Sequence, residues 1–384
     1  MRSSGPVGGR SCAWLGAVAV GVWAALAGGP GVVHAGGQTL RATGAGGTFP
    51  SAPMFSDSPM CPVWAVYAAG GTVYVGTDGA AGGFAGPLGL PGDGGVGIST
   101  DGGTTFTHST IANGLRNNHV TGVYAAGDTV YAATLGGLSI STDGGKTFTN
   151  RATADGLGSN NVYWVYAAGG SVYAATDSGV SVSADGGTTF VNRTTADGLG
   201  GNTVYGVYAA GGTVYAATMG GVSISTDGGK TFTNRTTADG LGANTGRGVF
   251  AVGNIVYAAT PLQLFSEPGV GGLGISTNGG KTFTVRTTAD GLGDNFVNGV
   301  YVAGGTVYAA TNGGLSISTD GGTTFTTRTA ADGLGNSQVG GVYAVGNTVY
   351  AATLGGLGIS TDGGTTFTNH TLASVRPCPN SGNP

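Results

Sequence analysis

A short motif that recurs at a fixed spacing constrains the fold of this chain more than any other feature. It occupies residues 141–148, Ser-Thr-Asp-Gly-Gly-Lys-Thr-Phe, and occurs in seven versions. The acidic position falls at Asp101, Asp143, Asp185, Asp227, Asn278, Asp320 and Asp362. Neighbouring copies are 42 residues apart, except for one step of 51. A period of this length is typical of repeat architectures.

Composition agrees with an ordered repeat. Glycine accounts for 82 of 384 residues, but the glycines fall at fixed turn positions between β-branched and aromatic runs such as residues 129–133. We interpret the aromatics as core, since they hold the same strand positions in successive repeats. Only 8% of residues are charged and the net charge is −4, so no basic surface suited to nucleic acid is expected.

Each repeat contains four short runs that are typical of strands, bounded by Gly, Asp or Asn. No stretch shows helical periodicity. Four strands per unit of about 40 residues indicate a propeller blade. The sequence therefore predicts an all-β, seven-bladed β-propeller of four-stranded antiparallel blades. Each blade would begin with its innermost strand, and small pairs such as Ala132-Ala133 would let neighbouring sheets approach.

The motif has the chemistry of a tight hairpin between the third and fourth strands. Asp143 can accept hydrogen bonds from turn amides, and Gly144-Gly145 adopt conformations closed to other residues. Phe148 would pack between neighbouring blades.

The pattern Ser-x-Asp-x-Gly-x-Thr-aromatic resembles the Asp-box, or BNR repeat. That repeat occurs in sialidases, xyloglucan-cleaving glucanases, sortilin-type receptors and photosystem II assembly propellers. The resemblance covers residues 61 to about 372, with Phe in place of the more usual Trp. The Asn-x-Val and Asp-Gly-Leu elements also look like the propeller repeats of two-component sensors. The resemblance implies that these turns are structural and lie away from the ligand face.

The N-terminal segment differs in kind from the repeats. Arg2 and Arg10 precede an apolar run over residues 12–28, and Val-His-Ala at 33–35 looks like a cleavage site. We interpret residues 1–35 as a signal peptide; an uncleaved membrane anchor is the alternative. Residues 36–60 would be a linker, 61–373 the propeller and 374–384 a tail. The expected location is secreted or cell-surface.

Two cysteines flank the predicted propeller. Cys61 precedes the first inner strand and Cys378 follows the last outer strand. A Cys61–Cys378 disulfide would close the ring and contribute at most about 5 kcal/mol in the loop-entropy model. The alternative is two unpaired thiols. Mass spectrometry of a non-reduced digest is expected to show the cross-linked peptide pair, and two free thiols would contradict the pairing.

Two insertions interrupt the repeat, at residues 78–92 and 261–269. Both fall between the second and third strands of their blades, so both emerge on one face. Loops on a rigid scaffold are where function concentrates. We therefore expect the ligand to bind on this face.

Residues that break the repeat near these insertions are the candidate site. Arg247 replaces neutral residues of the other inner strands, Glu267 is the chain's only glutamate, and Asp294 enters a blade connection. Trp64, Tyr163 and Tyr205 are candidate stacking surfaces. A local salt bridge in a tolerated loop is the alternative.

The predicted function is an exported, non-enzymatic propeller that binds an extracellular protein or glycan, with no cofactor and no metal. We expect a monomer that contacts a membrane only if the N-terminal segment remains as an anchor. The alternative is a glycoside hydrolase that uses Glu267 with an Asp such as Asp294, because glycosidases generally need two carboxyl groups. Five Arg–Asp pairs spaced by four residues, such as Arg193–Asp197, are interpreted as structural.

Overall fold

The computed structural model describes residues 33–35, 38–40, 62–77, 94–261 and 270–371. The chain divides into two units, Met1–Ser56 and Asp57–Pro384. In the first unit, Val33–Ala35 pairs antiparallel with Gln38–Leu40. Cys61, Cys378, Glu267, the predicted tail and the insertions apart from Pro261 lie outside the described residues, as does the predicted signal peptide apart from 33–35.

The second unit consists of seven four-stranded antiparallel sheets, each formed by strands consecutive in the chain. The inner strands are Val63–Ala69, Val120–Ala126, Val162–Ala168, Val204–Ala210, Gly248–Val252, Val297–Ala303 and Val339–Val345. The second strands are Thr72–Thr77, Thr129–Thr134, Ser171–Thr176, Thr213–Thr218, Ile255–Thr260, Thr306–Thr311 and Thr348–Thr353.

The outer half of each blade has the same regularity. The third strands are Gly95–Ser99, Gly137–Ser141, Gly179–Ser183, Gly221–Ser225, Gly272–Ser276, Gly314–Ser318 and Gly356–Ser360. The outer strands are Thr107–Ser109, Thr149–Arg151, Val191–Arg193, Thr233–Arg235, Thr284–Arg286, Thr326–Arg328 and Thr368–His370.

The blades form a closed ring. Each inner strand contacts the inner strand of the next blade, and that of blade seven contacts that of blade one. At this junction the rings of Tyr67 and Tyr343 are 4.6 Å apart between centroids. The predicted seven-bladed β-propeller is therefore confirmed, including the order of strands from inner to outer.

The core lies between neighbouring blades. Ala132 and Ala133 are fully buried on opposite sides of one sheet. Ala132 packs with Ala65 of blade one, whereas Ala133 packs with Val165 of blade three. Phe148 is buried in the cluster shared by blades one and two, as its position in the motif predicts.

The motif turns are held by local hydrogen bonds. In blade three the buried Ser183 hydroxyl donates to Asp185 (2.7 Å) and accepts from the Gly187 amide (2.8 Å). Asp185 Oδ1 accepts from the Thr188 and Thr189 amides, both at 3.0 Å. The glycines of the motif have positive φ, such as 92° at Gly187. The predicted role of the aspartate in capping the turn is confirmed.

Short 3-10 helices, which periodicity did not indicate, follow the first six outer strands. They are Ile111–Asn113, Thr153–Asp155, Thr195–Asp197, Thr237–Asp239, Thr288–Asp290 and Ala330–Asp332. In blade three the Asp197 carboxylate accepts from the Thr194 amide at 2.8 Å. Gly198, at φ 94°, ends the element in the left-handed region. Three residues are too few to produce a helical pattern in the sequence.

The repeated arginines are structural, but their partners differ from the prediction. Of the predicted Arg–Asp pairs, Arg193 and Asp197 form a direct ion pair in the described part of the chain, with 3.7 Å between Nη1 and Oδ1. Elsewhere the arginine Nε donates to a carbonyl in the motif turn of the next blade, as Arg151 does to Gly187 at 2.8 Å. These side chains therefore fasten neighbouring blades together.

Candidate functional site

The two ends of the propeller have different loops. On the turn face, the motif turns contact the turns between the first two strands, as in the hydrogen bond from the Gly144 amide to the Asp128 carbonyl (2.9 Å). On the connection face, the turns between the second and third strands contact the blade connections. The Met219 amide donates there to the Thr203 carbonyl at 2.9 Å. The residues that flank both insertions lie on the connection face, as predicted.

Equivalent positions at the connection-face end of the inner strands form a ring that we call the mouth; in blade five this position directly precedes the strand. The mouth is formed by Trp64, Thr121, Tyr163, Tyr205, Arg247, Asn298 and Gly340. Six of the seven inner strands carry a bulge here, as between Val162 and Trp164. A bulge commonly redirects a side chain and is frequent beside functional sites.

Arg247 is the charged member of the mouth. Its guanidinium lies 5.9 Å from the ring centroid of Tyr205 and 5.2 Å from that of Phe296. Nη1 donates to Asn298 Oδ1 at 2.9 Å. Among the described residues no carboxylate forms an ion pair with it. Burial lowers the pKa of Arg247, and Tyr205 partly offsets this effect.

The two tyrosines of the mouth lie next to each other. The rings of Tyr163 and Tyr205 are 5.7 Å apart between centroids, with an interplanar angle of 38°. Burial, followed by the charge of Asp177, raises the pKa of Tyr163 to about 12. Burial also raises the pKa of Tyr205. Three neighbouring side chains of the mouth therefore form a row, in the order Tyr163, Tyr205 and Arg247. The two tyrosines supply neutral hydroxyls and aromatic surface, and the arginine supplies a positive charge.

Asp294 is connected to Arg247 through Phe296. Its carboxylate accepts from the Phe296 amide at 2.6 Å, and the Phe296 ring contacts Arg247. The predicted cluster of Arg247, Glu267 and Asp294 stays a prediction, because Glu267 lies outside the described residues. The sequence analysis did not identify Phe296, although it stands where other repeats carry His119, Asn161, Thr203 or Gln338.

Trp64 lies in the mouth beside the junction between blades seven and one. Its backbone is close to Gly340, where an added Cβ would lie 3.5 Å from the Trp64 carbonyl oxygen. Its indole Nε1 is buried without an acceptor among the described residues. The side chain is half-buried and retains exposed surface for stacking.

Below the mouth, an unbroken ring of aromatic side chains surrounds the axis. Neighbouring centroids are 4.5 to 4.9 Å apart, and the members are Tyr67, Tyr124, Tyr166, Tyr208, Phe250, Tyr301 and Tyr343. These side chains are half-buried, and the six tyrosines pack against the core clusters between the blades, as their interpretation as core predicts. Burial and the neighbouring hydroxyls raise the pKa of Tyr67 far above its usual value. These rings line the axis below the mouth and narrow it.

Other features of the described residues do not define a second site. A depression on the turn face is lined by motif and turn residues that recur in other blades, including Asp227 and Lys230. Three or more His, Cys, Asp or Glu side chains do not gather within the described ranges in a way that could hold a metal ion. In those same ranges, no helix has the length and apolar character that a membrane span requires.

Solved structures of similar fold come from several functional classes. The extracellular domain of a protein assigned to a hybrid two component system of B. thetaiotaomicron is 19% identical, with a TM-score of 0.62. The match covers 78% of this chain and 38% of that one. An ancestral GH74 enzyme is 18% identical (TM-score 0.57), with 81% of this chain and 46% of that one covered.

YCF48, solved bound to D1 peptide, is 14% identical with a TM-score of 0.55; 78% of this chain and 93% of that one are covered. No family model matches the chain, and no curated protein matches it. This chain spans less than half the length of the first two solved proteins. At these identities the likeness shows a shared β-propeller fold.

Proposed function

We propose that this chain is an exported, non-enzymatic β-propeller that binds a protein or glycan through the mouth and the surrounding connection face. The observation that carries the proposal is Arg247. It is a charged, partly desolvated side chain in a ring of otherwise neutral residues, and in the described part of the chain its hydrogen-bond partner is neutral. A cation held in this way can receive an anionic group from a ligand.

Two further observations support a binding role. The described residues that flank both insertions lie on the same face as the mouth. Similar propellers also include extracellular domains and a protein solved with a bound peptide. Export is supported by the N-terminal charged and apolar segments.

Glycoside hydrolysis is the second candidate, and the shared fold with a GH74 enzyme supports it. It would require a pair of carboxyl groups across the scissile bond. Among the described residues of this face, Asp294 accepts from the Phe296 amide and Asp177 accepts from Asn161 Nδ2 at 2.8 Å. Each carboxylate is held by a local hydrogen bond, and Asp294 is the one that the sequence analysis pairs with Glu267.

Screening the full chain against fluorogenic glycosides, then against glycan and peptide arrays, separates the two functions. We expect array binding without turnover. Arg247→Ala should lose that binding, whereas Lys146→Ala, on the turn face, should retain it. Turnover that disappears in Glu267→Ala would overturn the binding proposal in favour of hydrolysis.

A further inference from the structure

Resting on the proposed binding function, we propose that the mouth receives the C-terminal carboxylate of a peptide or protein, which enters end-on along the axis. Arg247 is the anchor for that carboxylate. Tyr205, Phe296 and Asn298 hold the guanidinium in place.

The guanidinium is oriented and still reachable. Tyr205 and Phe296 contact it, and Asn298 binds Nη1. Arg247 is half-buried, so part of its side chain remains accessible from the mouth. A planar fork of N–H donors matches the two oxygens of a carboxylate. Because the side chain is held in advance, little conformational entropy is lost on binding.

The aromatic ring below the mouth favours a chain end over an internal segment. Arg247 and Phe250 lie on the same strand region, with Arg247 three residues nearer the connection face. Since the aromatic ring narrows the axis below Arg247, a ligand that enters from the connection face meets Arg247 before this narrower part. A chain end can reach the guanidinium by entering along the axis, whereas an internal segment would have to pass the narrower part or leave by the same face.

Two polar side chains of the mouth, Thr121 and Asn298, already have hydrogen-bond partners and are not free for the hydroxyls of a sugar. The single O–H of Thr121 is already within hydrogen-bonding distance of two acceptors, the Ala133 and Val162 carbonyls, at 3.1 and 2.7 Å. Asn298 Nδ2 donates to Asn312 and to the Val339 carbonyl. A sugar presents several hydroxyls that would need unoccupied polar partners.

Three apolar side chains are exposed on the connection face. The side chains of Leu135, Met219 and Val270 lie in turns of the connection face and are 37%, 45% and 56% exposed. They offer contacts for apolar side chains that precede a terminal carboxylate. A cation in the mouth and exposed apolar side chains on the same face together match a short apolar peptide with a free C-terminus.

Fluorescence anisotropy of the full chain tests this proposal. The probes are fluorescein-labelled short peptides with apolar C-terminal residues, each made with a free carboxylate and as the matched amide. We expect amidation to weaken binding about 10- to 100-fold, the range of one charge-assisted hydrogen-bonded contact. Arg247→Gln should remove the difference between acid and amide, while Arg247→Lys should retain part of it.

Two controls keep the outcomes distinct. Lys146→Ala changes a charge on the turn face and should leave the acid-to-amide ratio unchanged. Peptides that bind equally as acids and amides, or no peptide binding at all, would overturn the carboxylate proposal. Binding of a uronic acid oligomer without peptide binding would also overturn it while leaving the broader binding function standing. Glycoside turnover lost in Glu267→Ala would instead defeat the broader function.

Discussion

Replacing Gly333 by alanine is expected to destabilise the propeller by about 3 kcal/mol or more. Gly333 ends a 3-10 helix at φ 96°, a region that disfavours side chains. A Cβ there would also overlap the Phe367 carbonyl oxygen of the next blade. The neighbouring hydrogen bond from the Phe367 amide to the Asp332 carbonyl, 2.9 Å, would have to shift. Chemical denaturation followed by tryptophan fluorescence measures the loss.

Gly321 in the same blade is the matched control for Gly333. Its φ is 74°, but an added Cβ meets nothing within 4 Å. Gly321→Ala should therefore cost only the backbone strain, about 1–2 kcal/mol. Equal losses for both variants would show that the contact between neighbouring blades does not limit the substitution.

Acid is expected to unfold the propeller steeply, because the motif aspartates titrate in the same direction. Hydrogen bonds from the Thr147 hydroxyl and amide, then from the Ser141 hydroxyl, hold the pKa of Asp143 well below its usual range. The same holds for Asp101, Asp185, Asp227, Asp320 and Asp362. A depressed folded-state pKa gives stability that is present above the unfolded value, near pH 4, and lost below it.

The number of protons taken up on unfolding determines how steeply the unfolding free energy falls with pH. Below pH 4, six motif aspartates remain charged in the folded state, whereas the same residues take up protons in the unfolded chain. Each of them therefore adds to the slope of the unfolding free energy against pH. Unfolding free energy measured between pH 5 and pH 2 should fall with a slope of up to about six protons. Stability that stays level from pH 5 to pH 3 would contradict this account.

Asn278 provides an internal comparison for the acid effect. This turn keeps the motif hydrogen bonds from the Lys281 and Thr282 amides, both at 3.0 Å, without a titrating group. Asn278→Asp should add to the pH slope, and Asp143→Asn should reduce it. The two changes should be similar in size and opposite in sign, because the turns have the same geometry.

The blade number and the turn chemistry could be predicted because they depend on residues close together in the chain. Within one motif, the Asp143 carboxylate accepts hydrogen bonds from the Ser141 and Thr147 hydroxyls. The short spacing of these residues in the sequence therefore predicts the contacts. The number of motif copies then predicts the number of blades. The inner-to-outer strand order follows for the same reason, since each strand pairs with the next.

The partners of the repeated arginines could not be predicted in this way. Arg193 and Asp197 are near in sequence, which suggested that pairing for every blade. Arg151 instead reaches the Gly187 carbonyl, 36 residues away in the next blade. Such contacts exist only once neighbouring blades are packed side by side.

The sequence by itself determined the architecture: seven local hairpin motifs at a fixed period, with small and aromatic residues repeated in register. It also marked Arg247 as a departure from the repeat. Only the tertiary structure decided what Arg247 contacts. Phe296 and Asn298 belong to the next blade, and the aromatic ring that surrounds the axis joins one residue from each blade. Those residues meet because the ring closes, and closure depends on contacts between blades rather than on spacing within one repeat.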